Sequence, residues 1–325
     1  MKYVKWGIVG TGTIANKFAQ AVVNADNSEL VAVASRKLET AQAFAQKYNI
    51  KTCFSSYKEL AEFDGVDAVY IALPHTYHAS HTKLFVQAGK HVLCEKPITV
   101  NEKELLDGIA TAKGKSVFVM EALWTRFLPI INKIKEVIDE GVIGDVLEVS
   151  ADFCYNFPDR TNQLYDNARA GGSLLDVGVY GINFASIFLG ENVTDIKVSA
   201  YINEGVDERL NALISYEGGK MARISSAISL QKPESAYIYG SKGYIFVPTF
   251  YGASEFEVNV DGYNKKYIIP FKGNGFEEEI EECNKCILSG KTQSDIMPLS
   301  RSLFTMKIMD DIRKKIGVFY DADKI

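Results

Sequence analysis

The sequence predicts an α/β chain built in two parts: a doubly wound parallel sheet at the N-terminus, then an α+β domain with a large, mostly antiparallel open sheet. Three observations predict it. The first third of the chain repeats a short apolar strand, a helix-period segment and another strand. A glycine-rich turn directly follows the first of those strands. After about residue 122 period-two alternation takes over, with glycine turns between strands and few helices. A chain of 325 residues suits two domains at roughly 100–200 residues each, and the boundary is placed between 1–122 and 123–325.

The elements follow in order. Val4–Val9 is a short apolar strand. Gly10 to Asn24 reads as a helix with Ile14, Phe18, Ala21 and Val22 on one face. Leu30–Ala34 is a strand, Lys37–Tyr48 a helix, and Val66–Ala72 a strand that ends at Pro74. His78–Ala88 is helical and stops at Gly89. His91–Glu95 is a strand, Asn101–Ala112 a helix with Asn101 as N-cap, and Ser116–Met120 a strand. A helix from about Leu128 to Glu140 opens the second part. About eight strands follow between Val146 and Ile269, interrupted by one helix over roughly Ser173–Phe188. The segment Phe276–Gly317 returns to helix and is expected to pack on the first domain.

Composition narrows the function. A formal net charge of -5 argues against nucleic acid as a partner, which usually demands a basic face. No window approaches roughly 18 uninterrupted apolar residues, so no membrane partner or span is expected. The opening residues, Met1 to Trp6, have neither the apolar stretch nor the cleavage site of a signal peptide. The five scattered cysteines suit reduced thiols in a cytoplasmic protein. Cys283 and Cys286 form a C-x-x-C inside a helical run, where the redox motif would need a helix start. His75, His78 and His81 are spaced by three, but no acid or thiol pattern completes a metal site, and no metal is expected.

Gly10-Thr11-Gly12-Thr13-Ile14-Ala15 is G-x-G-x-x-A between a strand and a helix. The first glycine permits a tight turn, the second lets backbone approach a pyrophosphate, and Ala15 allows close helix–strand packing. Anionic phosphates would sit at the helix start, where N–H groups point outward. Strand, turn and helix together identify a Rossmann dinucleotide-binding domain. An NAD enzyme commonly carries an acid at the end of the second strand to bond the ribose. This chain has Ser35-Arg36-Lys37 there. A guanidinium pairs with a 2′-phosphate that a carboxylate would repel, so NADP is expected over NAD.

Glu95-Lys96-Pro97 ends another strand, on the side where doubly wound sheets bind ligands. The glycine fingerprint, Ala72-Leu73-Pro74 with His78 after it, Glu95-Lys96-Pro97, Glu121-Ala122-Leu123-Trp124-Thr125-Arg126-Phe127 and Gly171–Tyr180 together resemble the Gfo/Idh/MocA oxidoreductase family. The Trp-Thr-Arg-Phe segment is most similar to its branch of dimeric dihydrodiol dehydrogenases and NADP-dependent D-xylose dehydrogenases.

The resemblance implies a homodimer or homotetramer formed through the second sheet, and Lys96 as a catalytic lysine. It also implies substrate contacts at Asp176 and Tyr180, where many relatives carry histidine in place of the tyrosine, and it puts His78 beside the nicotinamide. Leu73, Pro74, Glu95 and Pro97 join the cofactor contacts. Trp124 and Arg126 either line the substrate site or pack a hinge. Tyr155, Asn156, Phe157 and Arg160 follow a strand, and of these Phe157 is placed with the substrate residues.

The residue chemistry agrees with these roles. Asp176 and Tyr180 are four apart on a predicted helix and would share a face. A neighbouring ammonium favours a phenolate, so Tyr180 assisted by Lys96 could exchange the proton of a sugar, polyol or cyclic diol while hydride passes to or from nicotinamide. Two alternatives stay open: a biliverdin-reductase-like reductase of another small molecule, and a non-catalytic NADP-sensing regulator.

Overall fold

The computed structural model describes residues 3–324; Met1, Lys2 and Ile325 lie outside it. The chain divides into two compact units. One comprises Met1–Trp124 with Lys272–Leu303, the other Thr125–Phe271 with Phe304–Ile325.

The first unit is built on a six-stranded parallel sheet: β1 (Val4–Val9), β2 (Ser28–Ala34), β3 (Thr52–Phe54), β4 (Ala68–Ile71), β5 (His91–Glu95) and β6 (Val119–Ala122), in the order β3-β2-β1-β4-β5-β6. The strand order reverses between β1 and β4, which opens a crevice at their C-terminal ends. Their near-continuous burial reflects helices on both faces. These helices include α1 (Thr13–Val22), α2 (Leu38–Tyr48), α3 (Tyr57–Glu62), α4 (His78–Gln87) and α5 (Glu102–Lys113). Asn101 caps α5 by accepting from Glu104 N–H at 2.9 Å, as its sequence position predicts.

The sequence pattern missed β3 and α3. A three-residue strand is too short to show a period, although Ser56 caps α3 from a visible Ser-Ser pair. The strand expected at Ser116–Met120 begins later, because Val119 is the residue in register with Val92 of β5.

The second unit opens with α6 (Pro129–Asp139) and forms an eight-stranded sheet in the order β14-β13-β12-β11-β7-β10-β9-β8. The strands are β7 (Val146–Cys154), β8 (Val193–Asn203), β9 (Val206–Tyr216), β10 (Met221–Ala227), β11 (Ser235–Gly240), β12 (Gly243–Pro248), β13 (Glu255–Val260) and β14 (Tyr263–Ile268). Two runs of antiparallel hairpins flank β7, and β7 pairs in parallel only with β10.

The interrupting helix is not uniform. Leu174–Gly178 is a π turn, and α-helix begins only at Val179, as α7 (Val179–Leu189). The stretch Asn167–Leu189 is long and apolar enough to cross a membrane by length and composition alone, but 78% of its apolar window is buried inside the fold. Its α-helical part, α7, is the core helix over the sheet, with Ile182, Phe184 and Ala185 fully buried. Two more helices complete the chain: α8 (Glu277–Leu288), which belongs to the first unit, and α9 (Leu299–Ile316). Asn284 of α8 accepts from Trp6 Nε1 at 3.0 Å and donates to the Asp26 carbonyl at 2.8 Å.

Candidate functional site

In the first unit a cavity of about 470 Å³ lies at the β1/β4 switch. Gly10, Thr11 and Gly12 form one side, Ala72, Leu73 and Pro74 another, and Ser35 and Arg36 a third. Gly10 has φ +105°, and a Cβ there would lie 2.5 Å from the Ala72 carbonyl oxygen, so glycine is required. Gly12 also lines the cavity, and a Cβ there would meet nothing within 4 Å, so the turn is open at that point. No side chain caps the start of α1 at Thr13 and Ile14, and its first turn carries no acid. Ala15 is fully buried, as close helix packing demands. Open backbone at a helix start beside an uncapped glycine turn is a shape and polarity that fit a dinucleotide pyrophosphate.

The end of β2 supplies positive charge. Arg36 and Lys37 are exposed, and Arg36 lies near enough to Tyr57 to oppose the upward push that burial gives its phenol. The Ser35 hydroxyl is engaged locally. Its Oγ is 2.7 Å from Thr40 Oγ1, whose own proton goes to the Lys37 carbonyl at 2.8 Å. The Ser35 proton is therefore held within the turn.

His78 corrects an expectation. It is fully buried, with Nδ1 2.7 Å from the Pro97 carbonyl and Nε2 2.7 Å from the Leu73 carbonyl. Both ring nitrogens are turned to backbone, so the ring braces the loops after β4 and β5 in place of presenting an edge to a cofactor. Burial lowers its proton affinity despite those two carbonyls.

Glu95 is likewise turned inward. Its Oε1 accepts from the Tyr70 hydroxyl and its Oε2 from Lys96 N–H at 3.2 Å. Burial pushes its carboxyl up, against the pull of Tyr70 and of the Lys96 charge. The Lys96-Pro97 peptide is cis. Behind Glu95 lies Glu279, fully buried with neither oxygen partnered; burial and the Glu95 charge push it up and favour its neutral form. Trp124 packs on Phe276 at 5.4 Å.

In the second unit Tyr180 sits in the first turn of α7 and is 9% exposed. Its ring lies 5.5 Å from Phe153 and 6.0 Å from Tyr251, and those two rings stack at 4.1 Å. Asp176 falls on the π turn, so the α-helical register assumed from its spacing to Tyr180 does not hold there. Its Oδ2 accepts from the Tyr155 hydroxyl at 2.7 Å. Burial and the Asp176 charge push the Tyr155 phenol far up, which keeps it a donor. Tyr251 donates to Glu234 at 3.0 Å, and burial with that carboxylate pushes it up to about 12. Phe153, Tyr251 and Glu234 were not singled out from sequence, because no motif or spacing sets them apart from other aromatic and acidic residues.

Other candidates from the sequence have structural engagements. Arg126 is buried; it donates to Asn183 Oδ1 at 2.7 Å and to Ser186 Oγ at 2.6 Å. Phe157 packs on a small core of Leu164, Val206 and Ile228. Arg160 pairs with Glu208 and stacks on Tyr165 at 4.0 Å. Cys283 and Cys286 are buried thiols, both pushed up by burial, which disfavours a reactive thiolate.

Comparison with known proteins places this geometry. Residues 4–123 match the model described as oxidoreductase family, NAD-binding Rossmann fold, and residues 131–246 match the GFO/IDH/MocA C-terminal domain. Trans-1,2-dihydrobenzene-1,2-diol dehydrogenase of Mus musculus is 36% identical, covering 99% of each chain. The Homo sapiens protein of that name is 34% identical with the same coverage. Among solved structures, a 3-ketoreductase from Actinomadura kijaniata in complex with NADP and TDP-benzene superposes with TM-score 0.89 at 25% identity, covering 96% of this chain and 98% of that one.

Proposed function

The chain belongs to the Gfo/Idh/MocA oxidoreductase family, and on that premise we propose that it is an NADP-dependent dehydrogenase of a sugar, polyol or cyclic diol. The observation that carries the cofactor reading is the cavity at the β1/β4 switch, with an open glycine turn at one side and Arg36 at another. NADP would lie with its pyrophosphate on Gly10–Gly12 and its 2′-phosphate toward Ser35, Arg36 and Lys37. Leu73 and Pro74, held through His78, support it from β4. When bound, the nicotinamide supplies or accepts the hydride.

The chain's own residues handle the proton. Tyr180 takes it from the substrate hydroxyl in oxidation and returns it to the carbonyl in reduction. Lys96, whose backbone N–H donates to the inward-turned Glu95, supplies positive charge that offsets negative charge on the substrate oxygen. Asp176, its carboxylate steadied by Tyr155, accepts from a neighbouring substrate hydroxyl. The rings of Phe153 and Tyr251 beside Tyr180 suit the apolar face of a cyclic diol or sugar. The same reading makes the outer face of the second sheet, with Tyr201, Leu213, Met221 and Tyr244 exposed, the surface through which copies associate.

The test follows NADPH formation from NADP and trans-dihydrodiols, pentoses or hexoses. Wild type should turn over at least one of them. Tyr180→Phe should bind NADPH normally and lose about 10²–10⁴-fold in kcat. Unchanged turnover in Tyr180→Phe would remove the tyrosine from the chemistry.

A further inference from the structure

The first unit's cavity is also lined by three rings, Tyr57, Tyr77 and His81, and Tyr57 lies near enough to Arg36 to feel its charge. Tyr57 opens α3, and Tyr77 and His81 come from the turn before α4 and its first turn. The His81 ring meets Tyr57 edge to face at 5.0 Å and Tyr77 at 5.9 Å.

The protonation of His81 follows from its neighbours. Its Nδ1 lies 2.8 Å from the Tyr77 carbonyl oxygen. A carbonyl only accepts, so Nδ1 carries the proton and Nε2 of the neutral ring is an acceptor. Ser80 Oγ, 3.1 Å away, also lies on the Nδ1 side. Among the described residues nothing bonds to Nε2. Burial lowers the proton affinity of the ring, which favours the neutral form near neutral pH.

We propose that His81 reads the base of the dinucleotide: Nε2 accepts a hydrogen bond from the 6-amino group of adenine, with Tyr57 and Tyr77 walling the purine. The inference rests on the dinucleotide reading above, and adds to it the group that chooses the base. With the pyrophosphate on Gly10–Gly12 and the ribose beside Ser35 and Arg36, the lining left for the base is these three rings. Adenine presents a donor at that position, N6–H. Hypoxanthine presents an oxygen instead, and its lone pairs would face those of Nε2. A site built around one acceptor discriminates strongly against the analogue that lacks the donor.

The experiment titrates the full-length protein with NADPH and with its hypoxanthine analogue, by nicotinamide fluorescence. Wild type should prefer the adenine form by about tenfold, the equivalent of one hydrogen bond. His81→Phe keeps a ring but has no acceptor, and should bind both equally. His81→Gln, whose amide oxygen accepts, should keep most of the preference. Melting curves check that each variant folds, and wild type with His81→Gln decides the matter if His81→Phe does not. Equal binding by wild type, or a preference that survives in His81→Phe, overturns the assignment to His81 while leaving the dinucleotide reading intact. Binding of neither ligand by wild type sinks both.

Discussion

Replacing Asp207 with asparagine should remove one pH-dependent contribution to the stability of the second unit. Asp207 on β9 is fully buried, and its Oδ2 accepts from Leu174 N–H at 2.7 Å and from the Ser173 hydroxyl at 2.9 Å. It thus fixes the start of the π turn that carries Asp176 and leads into Tyr180. Burial outweighs those bonds and the Arg313 charge, and raises the carboxyl from 3.8 to about 6. The folded protein therefore holds this proton more tightly than the unfolded chain does. That contribution to stability is complete below about pH 4 and is lost as pH rises through about 6. A span of about 2 pH units, at about 1.4 kcal/mol each, amounts to ~3 kcal/mol.

Asparagine cannot ionise. The unfolding free energy of Asp207→Asn minus that of wild type should rise by ~3 kcal/mol between about pH 4 and about pH 7. A constant offset is also expected. Oδ1 is buried without a partner, so an amide NH₂ placed there would be a buried donor with no acceptor. Reading the change with pH, not the value at one pH, separates the two effects. Urea unfolding of both proteins across that range measures it. A difference that stays flat, or falls as pH rises, refutes the reasoning.

Gly10→Ala should abolish NADPH binding and lower stability by more than the ~1–2 kcal/mol of a left-handed alanine, because its Cβ would also strike the Ala72 carbonyl; isothermal titration and thermal melts check the two effects. Arg126→Ala should destabilise by ~3–5 kcal/mol, leaving Asn183 and Ser186 without their guanidinium in a buried setting. Its residual folded fraction should keep the wild-type KM; a raised KM with unchanged stability would return Arg126 to the substrate.

The legible parts of the molecule were those whose physics is local. A parallel sheet buried on both faces writes apolar runs into β1, β4 and β5, and the glycine turn announces itself because only glycine tolerates the backbone at Gly10. The period-two strands of the second sheet were equally visible, one face in and one face out. What stayed hidden depends on distant partners. Asp176 and Tyr180 looked like a shared helical face until Asp207, 31 residues beyond Asp176, capped a π turn there. His78 looked like a ligand-facing histidine until two carbonyls from separate loops claimed its ring. Arg126 drew attention as a charged residue in a motif, while the Asn183 and Ser186 that bond it lie 57 and 60 positions away.

The central claim, that the first unit holds NADP through Arg36, is tested most directly by titrating wild type and Arg36→Ala with NADPH and NADH. The account predicts tight NADPH binding that weakens about tenfold or more in Arg36→Ala, with NADH binding little changed. Equal binding of the two dinucleotides by wild type, unaffected by the substitution, would contradict it and make Ser35-Arg36-Lys37 an ordinary solvated turn.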